Sequence, residues 1–388
     1  MWAWGVLFLG LLSLRFWSPV LRAEESTLPA PGPTPPLVAS EAGPSPSPTP
    51  TPPRTAAENA GFAAVFRQGW DATNERRYHD AITEYSEAIR LKPDDPSVYD
   101  NRGAVYQILK QYPEAIADYT EAIRLQPDLA EAYNDRGNSY SALQQFDQAI
   151  ADYTEAVRLR ADFAAAYFNR ASNYFAKGQY DAAKKDCDAM LLVNPNLANA
   201  YFTRGNASYA LNQYKEAIAD YNRAISLKPS AAVYNNRGNA YRALKQYEYA
   251  EPDYTEAIRL KPDFAEAYAN RGYIRKTLNE PSSAISDYSE AITLKSEFAS
   301  AYDGRGNVYV SSGQYDDAIA DYNEAIRLAP NLAVAYVDRG SVLEALKRNQ
   351  DAIKEYTEAI KWSPNFADAY LKRAKCLPAV PAIRPSRL

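Results

Sequence analysis

Residues 96–129 read PSVYDNRGAVYQILKQYPEAIADYTEAIRLQPDL, and nearly all of the remaining chain is a set of variations on that stretch. Its closing proline, Pro127, returns as Pro93, Pro195, Pro229, Pro262, Pro330 and Pro364 at a spacing of about 34 residues, with Ala161 and Ser296 in the two slots where it is replaced. In the first half of the unit, Tyr99, Arg102, Gly103, Tyr106 and Leu109 recur at intervals of three and four, which places them on one face of a helix. In the second half, Tyr112, Ala115, Ile116, Tyr119, Ala122, Ile123 and Leu125 form another such stripe. Pro127 ends it, because proline disfavours a helical residue before it. Gly103 and Ala115 are small where two helix backbones must approach. A single helix pair cannot bury both stripes, so each unit needs its neighbour and the core is continuous along the array.

The slots of Tyr99, Gly103, Tyr106, Ala115, Tyr119, Ala122 and Pro127 are those in which the tetratricopeptide pattern carries an aromatic, a small residue, an aromatic, an alanine, an aromatic, an alanine and a proline. The chain resembles the tetratricopeptide repeat (TPR) family over nine tandem repeats, starting at residues 62, 96, 130, 164, 198, 231, 265, 299 and 333, with a half-repeat from residue 367. The resemblance implies an all-α fold, a right-handed superhelical α-solenoid of helix-turn-helix repeats. It also implies a protein-interaction scaffold whose partner is a protein or an extended peptide, and it leaves that partner unnamed. A regulatory or targeting subunit of an enzyme carried on another chain is the alternative reading, and a helical-repeat RNA-binding protein a more distant one.

The chain has 388 residues and a net charge of −5, which offers no basic surface for nucleic acid. A largely apolar run over residues 2–14 lies within residues 1–23, which are expected to be an export signal or N-terminal anchor. Residues 24–61, rich in Pro, Ser and Thr, read as a disordered spacer. Residues 62–377 form the array and residues 378–388 a disordered tail. This layout predicts an exported, periplasmic or extracellular protein. Membrane attachment would run only through residues 2–21, and a cytoplasmic location would follow if the segment is not a signal. His79 is the single histidine, at a slot filled elsewhere by Pro113, Asp147 and Asp181. No catalytic residue, cofactor, metal site or small-molecule substrate is expected.

Two series run through the repeats at the same period. Arg102, Arg136, Arg170, Arg204, Arg237, Arg271, Arg305, Arg339 and Arg373 occupy one slot of the first helix. Glu84, Asp118, Asp152, Asp186, Asp220, Asp253, Asp287, Asp321 and Glu355 occupy one slot of the second. They should pair into a ladder between neighbouring helices. The residues left over on the first helices are largely asparagine, and in this family they face the inside of the superhelix. Asn101, Asn138, Asn169, Asn206, Asn236, Asn239, Asn270 and Asn307 are therefore the candidate partner-binding residues, since an amide both donates and accepts. Phe168 and Phe202 are the candidate apolar anchors.

Three local departures carry expectations. Cys187 and Met190 exchange large and small residues on one face of the fourth repeat's second helix, which marks Cys187 as a core residue. Pro252 should kink or delay the second helix of the sixth repeat. The fifth repeat lacks one residue between Pro229 and Tyr234, which shortens that turn.

Overall fold

The computed structural model describes residues 60–377, so the expected signal, most of the spacer and the tail lie outside the described residues. These residues divide into two compact units at Pro229 and Ser230. The first contains α1 (Ala60–Asn74), α2 (Tyr78–Leu91), α3 (Pro96–Ile108), α4 (Tyr112–Leu125), α5 (Ala130–Ala142), α6 (Phe146–Leu159), α7 (Ala164–Ala176), α8 (Tyr180–Val193), α9 (Ala198–Ala210) and α10 (Tyr214–Leu227). The second contains α11 (Ala231–Ala243), α12 (Tyr247–Leu260), α13 (Ala265–Thr277), α14 (Pro281–Leu294), α15 (Ala299–Ser311), α16 (Tyr315–Leu328), α17 (Ala333–Ala345), α18 (Asn349–Trp362) and α19 (Ala367–Cys376). Among the described residues there is no strand, and no helix is long and apolar enough to cross a membrane.

Each odd-numbered helix is the first of a repeat and each even-numbered helix the second. The turn between them has one design. Arg76, Lys110, Gln144, Asn212, Lys245, Asn279 and Lys347 adopt φ values near +60°, and Gly178 and Gly313 take the same slot. In the reference repeat the Lys110 N–H donates to the Gln107 carbonyl and the Gln111 N–H to the Tyr106 carbonyl, a left-handed C-terminal cap that reverses the chain. The opposite turn ends on the proline slot. Where the fifth repeat is a residue short, Ser230 is extended and its hydroxyl accepts from the Val233 N–H, so α11 starts on a side-chain cap.

Within each unit a first helix packs on its own second helix, and that second helix packs on the next first helix. Successive first helices also touch, α1 to α3 to α5 to α7 to α9 and α11 to α13 to α15 to α17 to α19, whereas no second helix touches the next second helix. The stack in each unit therefore closes up on its first-helix side, and that side is the inner face.

The core is built from alanines and tyrosines. Ala81, Ala115, Ala149, Ala183, Ala217, Ala250, Ala284, Ala318 and Ala352 are fully buried. So are the rings of Tyr85, Tyr119, Tyr153, Tyr221, Tyr254, Tyr288, Tyr322 and Tyr356. Each ring lies against the glycine of its own first helix; a methyl group added at Gly205 would sit 2.7 Å from the Tyr221 ring. The fourth repeat is the exception, and its substitutions match. Cys187 stands in the tyrosine slot and Ala171 in the glycine slot, both fully buried, with Met190 and Phe168 packed together beside them. Cys187 is thus a core residue, and burial pushes its thiol pKa well up. The expected delay at Pro252 does not occur. The helix Tyr247–Leu260 runs through it with the length and starting slot of its counterparts. Packing on both sides holds the helix although one backbone donor is missing.

Candidate functional site: the inner face of the first helices

The ladder of opposite charges forms, and it joins three helices rather than two. In Arg102–Asp118, Arg136–Asp152, Arg170–Asp186, Arg204–Asp220, Arg237–Asp253, Arg271–Asp287 and Arg305–Asp321 the guanidinium grips the carboxylate of its own repeat with two bonds. The Nε bond is 2.8–3.0 Å long and the second 2.6–2.8 Å. Six of these arginines also reach back to the second helix of the preceding repeat, at Ser86, Thr120, Thr154, Asp188, Thr255 and Ser289, and Arg339 and Arg373 do the same at Asn323 and Thr357. A tyrosine ring one turn earlier lies 5.4–6.0 Å from each guanidinium. Burial pushes the carboxyls of Asp118, Asp152, Asp186 and Asp253 up, and the arginine bonds counter it only in part. On the carboxylate side burial outweighs pairing, whereas the bonds to these aspartates hold the Arg102, Arg136, Arg170 and Arg237 guanidiniums up despite their burial. The two halves oppose one another, and we read the ladder chiefly as fixing the register of three helices. Glu355, one methylene longer, reaches Arg339 with a single bond at 2.6 Å and leaves its Nε without a partner.

With the arginines engaged there, the asparagines form their own network on the inner face. Those one residue after the glycine hold the buried tyrosine hydroxyls. Tyr153 donates to Asn138 at 2.9 Å, Tyr221 to Asn206 at 2.8 Å, Tyr254 to Asn239 at 2.9 Å and Tyr322 to Asn307 at 3.1 Å. In the fourth repeat Cys187 has no hydroxyl to hold, and Ser172 replaces the asparagine. Other asparagines link one repeat to the next. Asn169 donates to Asn134 and Asn138 at 3.0 and 2.9 Å, Asn270 donates to Asn235 at 3.0 Å and accepts from Arg242 at 2.9 Å, and Asn307 donates to Asp338 at 3.0 Å. Asn101 donates to the Ser97 carbonyl, and Asn236 accepts from Asn235. The two asparagine rows thus share one face, and much of their bonding is spent inside the array. The bonds that are made lie in a low dielectric and strengthen one another, while Asn173 Oδ1, Thr203 Oγ1 and Ser208 Oγ stay buried without a partner.

Phe168 is not an anchor in the groove. It is buried against Met190 and Ala200, filling space beside the small Cys187. Phe202 is half-buried, its ring 6.1 Å from that of Tyr221. Asn206, Ala207 and Ser208 spell an Asn-X-Ser glycosylation sequon, and Asn206 and Ser208 are both buried. His79 is exposed.

Sequence profiles match most of the array. One described as TPR repeat matches residues 77–110 and 306–347, and others described as tetratricopeptide repeat match residues 94–162, 134–191, 198–230, 231–264, 265–298 and 333–366. This chain belongs to the tetratricopeptide repeat family. Its fold is the TPR solenoid, shared with a chain of the APC/C hetero-tetramer Cut9-Hcn1 at 13% identity and a TM-score of 0.52, over 82% of this chain and 96% of that one. A tetratricopeptide repeat protein from Parabacteroides merdae matches at 19% identity and a TM-score of 0.50, over 64% of this chain and 99% of that one. PilF of Pseudomonas aeruginosa matches at 19% identity and 0.49, over 55% and 97%. At these identities the likeness is one of fold alone. No sequence among the curated proteins matches the chain.

Two polar groups on the inner face of this TPR array depart from the bonded pattern in the same repeat. Asp100 is buried, and its Oδ1 has no hydrogen-bond partner. The Tyr119 hydroxyl, in a fully buried residue, has none either. The asparagine that would hold the hydroxyl is Ala104 here. Burial, with the charges of Asp135 and Glu131, pushes the Asp100 carboxyl up to about 8. Burial pushes Asp135 up to about 6, although Asn134 and Asn138 donate to it. In the second unit Asp303 is likewise buried with one oxygen unpaired and its pKa well up, while burial pushes Lys276 down against the pull of Asp338 and Asp303. Sequence reading passed over these aspartates because it followed the commonest residue in each row. The signal was the break in the row at Ala104.

Proposed function

We propose that this TPR array is a non-catalytic scaffold that binds an extended segment of a partner protein along the inner face of its first helices. The observation that carries the reading is the inner face itself. Within each unit it presents amides and carboxylates, several of them held by bonds from one repeat to the next, and a surface ordered before binding costs little further entropy when a segment docks. Amides and carboxylates at a repeated spacing suit the donors and acceptors of an extended backbone. The arginine ladder supports a protein partner over RNA, since each guanidinium from Arg102 to Arg339 already grips an acid. Export by residues 1–23 remains part of the proposal, and fractionation of cells expressing the tagged full chain tests it.

Affinity capture from native extract tests the binding reading. The full chain is compared with Ser141→Arg, which places a bulky cation on the inner face beside the Tyr153 hydroxyl and whose fold is checked by circular dichroism, and with Glu121→Arg at a half-exposed second-helix position. A partner held by the parent and by Glu121→Arg but lost from Ser141→Arg supports the inner face. Loss from Glu121→Arg alone, or capture by all three alike, contradicts it.

A further inference from the structure

We propose that the inner face around Asp100, Ala104, Tyr119 and Asp135 is a subsite for a primary ammonium group, carried by a lysine side chain of the bound segment. The inference rests on the segment-binding reading above and names one chemical feature of the segment.

The array contains a related site that has an ammonium of its own nearby. Taking the slots in order, Lys276 at the end of one first helix, Asp303 and Asn307 on the next and Asp338 on the one after correspond to Thr73, Asp100, Ala104 and Asp135. In the first set, Asn307 accepts the Tyr322 hydroxyl at 3.1 Å and donates to Asp338 at 3.0 Å. Lys276 lies in the field of both aspartates. Asp303 keeps one oxygen without a hydrogen bond, so Lys276 acts on it as a nearby charge. In the second set both the lysine and the amide are replaced by small residues while both carboxylates and the tyrosine remain.

What is left is a notch with unmet demands. The Tyr119 hydroxyl and Asp100 Oδ1 are enclosed and unbonded, and a buried polar atom without a partner costs about 1–3 kcal/mol. No cation of the array answers Asp100. The charged groups facing it are Asp135 and Glu131, and Glu131 is already held by Arg160. Thr73, in the slot of Lys276, spends its hydroxyl on the Gly69 carbonyl and Tyr85. Ala104 and Asp135 are only half-buried, so the enclosed pair lies beneath a partly exposed rim through which a side chain would have to enter. An ammonium entering there would donate to Asp100, to the Tyr119 hydroxyl oxygen and to Asp135. This is the three-donor geometry that a lysine offers and a neutral side chain does not.

The test uses immobilised heptapeptides of randomised sequence, acetylated and amidated at their ends, in three pools whose central residue is lysine, Nε-acetyl-lysine or norleucine. The full chain should be retained on the lysine pool at least about tenfold more strongly than on the other two, about 1.4 kcal/mol. Asp100→Asn keeps the shape but has no proton to give up to form the carboxylate that an entering ammonium would pair with, and it should abolish the preference. Thr73→Lys supplies the array's own ammonium where Lys276 stands in the other set. It should also abolish the preference while melting higher than the parent. Circular dichroism establishes that each variant is folded, and if Asp100→Asn is not, Thr73→Lys decides. Equal retention on the three pools, or a lysine preference that survives either substitution, overturns the subsite while leaving segment binding in place. Retention on none of the pools overturns both.

Discussion

The packing of ring on glycine makes a quantitative prediction at Gly205. A methyl group there would lie 2.7 Å from Tyr221 Cε1, 2.9 Å from Cδ1 and 3.3 Å from Asp220 Cβ, against an ordinary carbon contact of about 3.5–4.0 Å. The ring cannot easily withdraw. It is 1% exposed, its hydroxyl is tied to Asn206 at 2.8 Å, and Asp220 is gripped by Arg204. Overpacking of this kind costs about 1–3 kcal/mol, offset by about 1 kcal/mol because alanine favours a helix interior over glycine. Gly205→Ala should therefore lose roughly 1–2 kcal/mol. Tyr221→Cys, which deletes a buried ring, should lose about 3–5 kcal/mol. Combined, they recreate the Ala171 and Cys187 of the fourth repeat, and the alanine then meets no ring. In the cysteine background Gly205→Ala should be neutral or stabilising, a coupling of about 2 kcal/mol in the double-mutant cycle. Urea unfolding followed by circular dichroism gives the four stabilities, and hydrogen exchange in α9 and α10 reports them locally, since long repeat arrays can depart from two-state unfolding. If Gly205→Ala costs the same in both backgrounds, the alternation of Gly with Tyr and Ala with Cys is not a packing rule.

Three further outcomes follow from the buried polar groups. Asp152→Ala, which strands Arg136, should cost about 3–5 kcal/mol in urea unfolding. Glu256→Ala, in an exposed pair with Arg259, should be near neutral. Tyr119→Phe removes a hydroxyl without a partner and should hold or raise the melting temperature, whereas Tyr153→Phe breaks the bond to Asn138 and should cost about 1 kcal/mol. Because the folded array holds the Asp100 carboxyl up at about 8, the folded state keeps a proton that the unfolded chain releases near about 3.9. Stability from this group is thus fully present below about pH 4 and lost as pH rises through 8. Asp100→Asn should gain on the parent with rising pH, by a few kcal/mol at most at pH 9, read as urea midpoints at pH 5 and pH 9. No gain would show that Asp100 titrates normally.

The repeat period, the helix pairs and the pairing of Arg102 with Asp118 and its counterparts were legible in the sequence, because they rest on spacing and on charges that recur together. The back-reach of Arg136 to Thr120 was not, since a hydroxyl on a solvated helix carries no charge signal. The asparagine rows were legible as rows, but the bonds from Tyr153 to Asn138 and from Asn169 to Asn134 depend on how a side chain crosses between helices, which periodicity does not encode. Phe168 was misread for a related reason. Its slot, two before the ladder arginine, is buried in most repeats, as at Asn134, Asn235, Ala269 and Val337, and the asparagines of the neighbouring slot hid that from a reading by rows. The continuation of the helix through Pro252 likewise reflects tertiary packing overriding a local preference.

The central claim is that a partner segment lies along the inner face of the first helices, and site-specific photo-crosslinking tests it most directly. A photoreactive residue is placed at Ser141, on the inner face beside the asparagine network, and separately at half-exposed Glu121 on a second helix, each in the full chain in native extract. Binding on the inner face predicts a discrete adduct at Ser141 that survives washing in salt and none at Glu121. An adduct at Glu121 with none at Ser141 would contradict it.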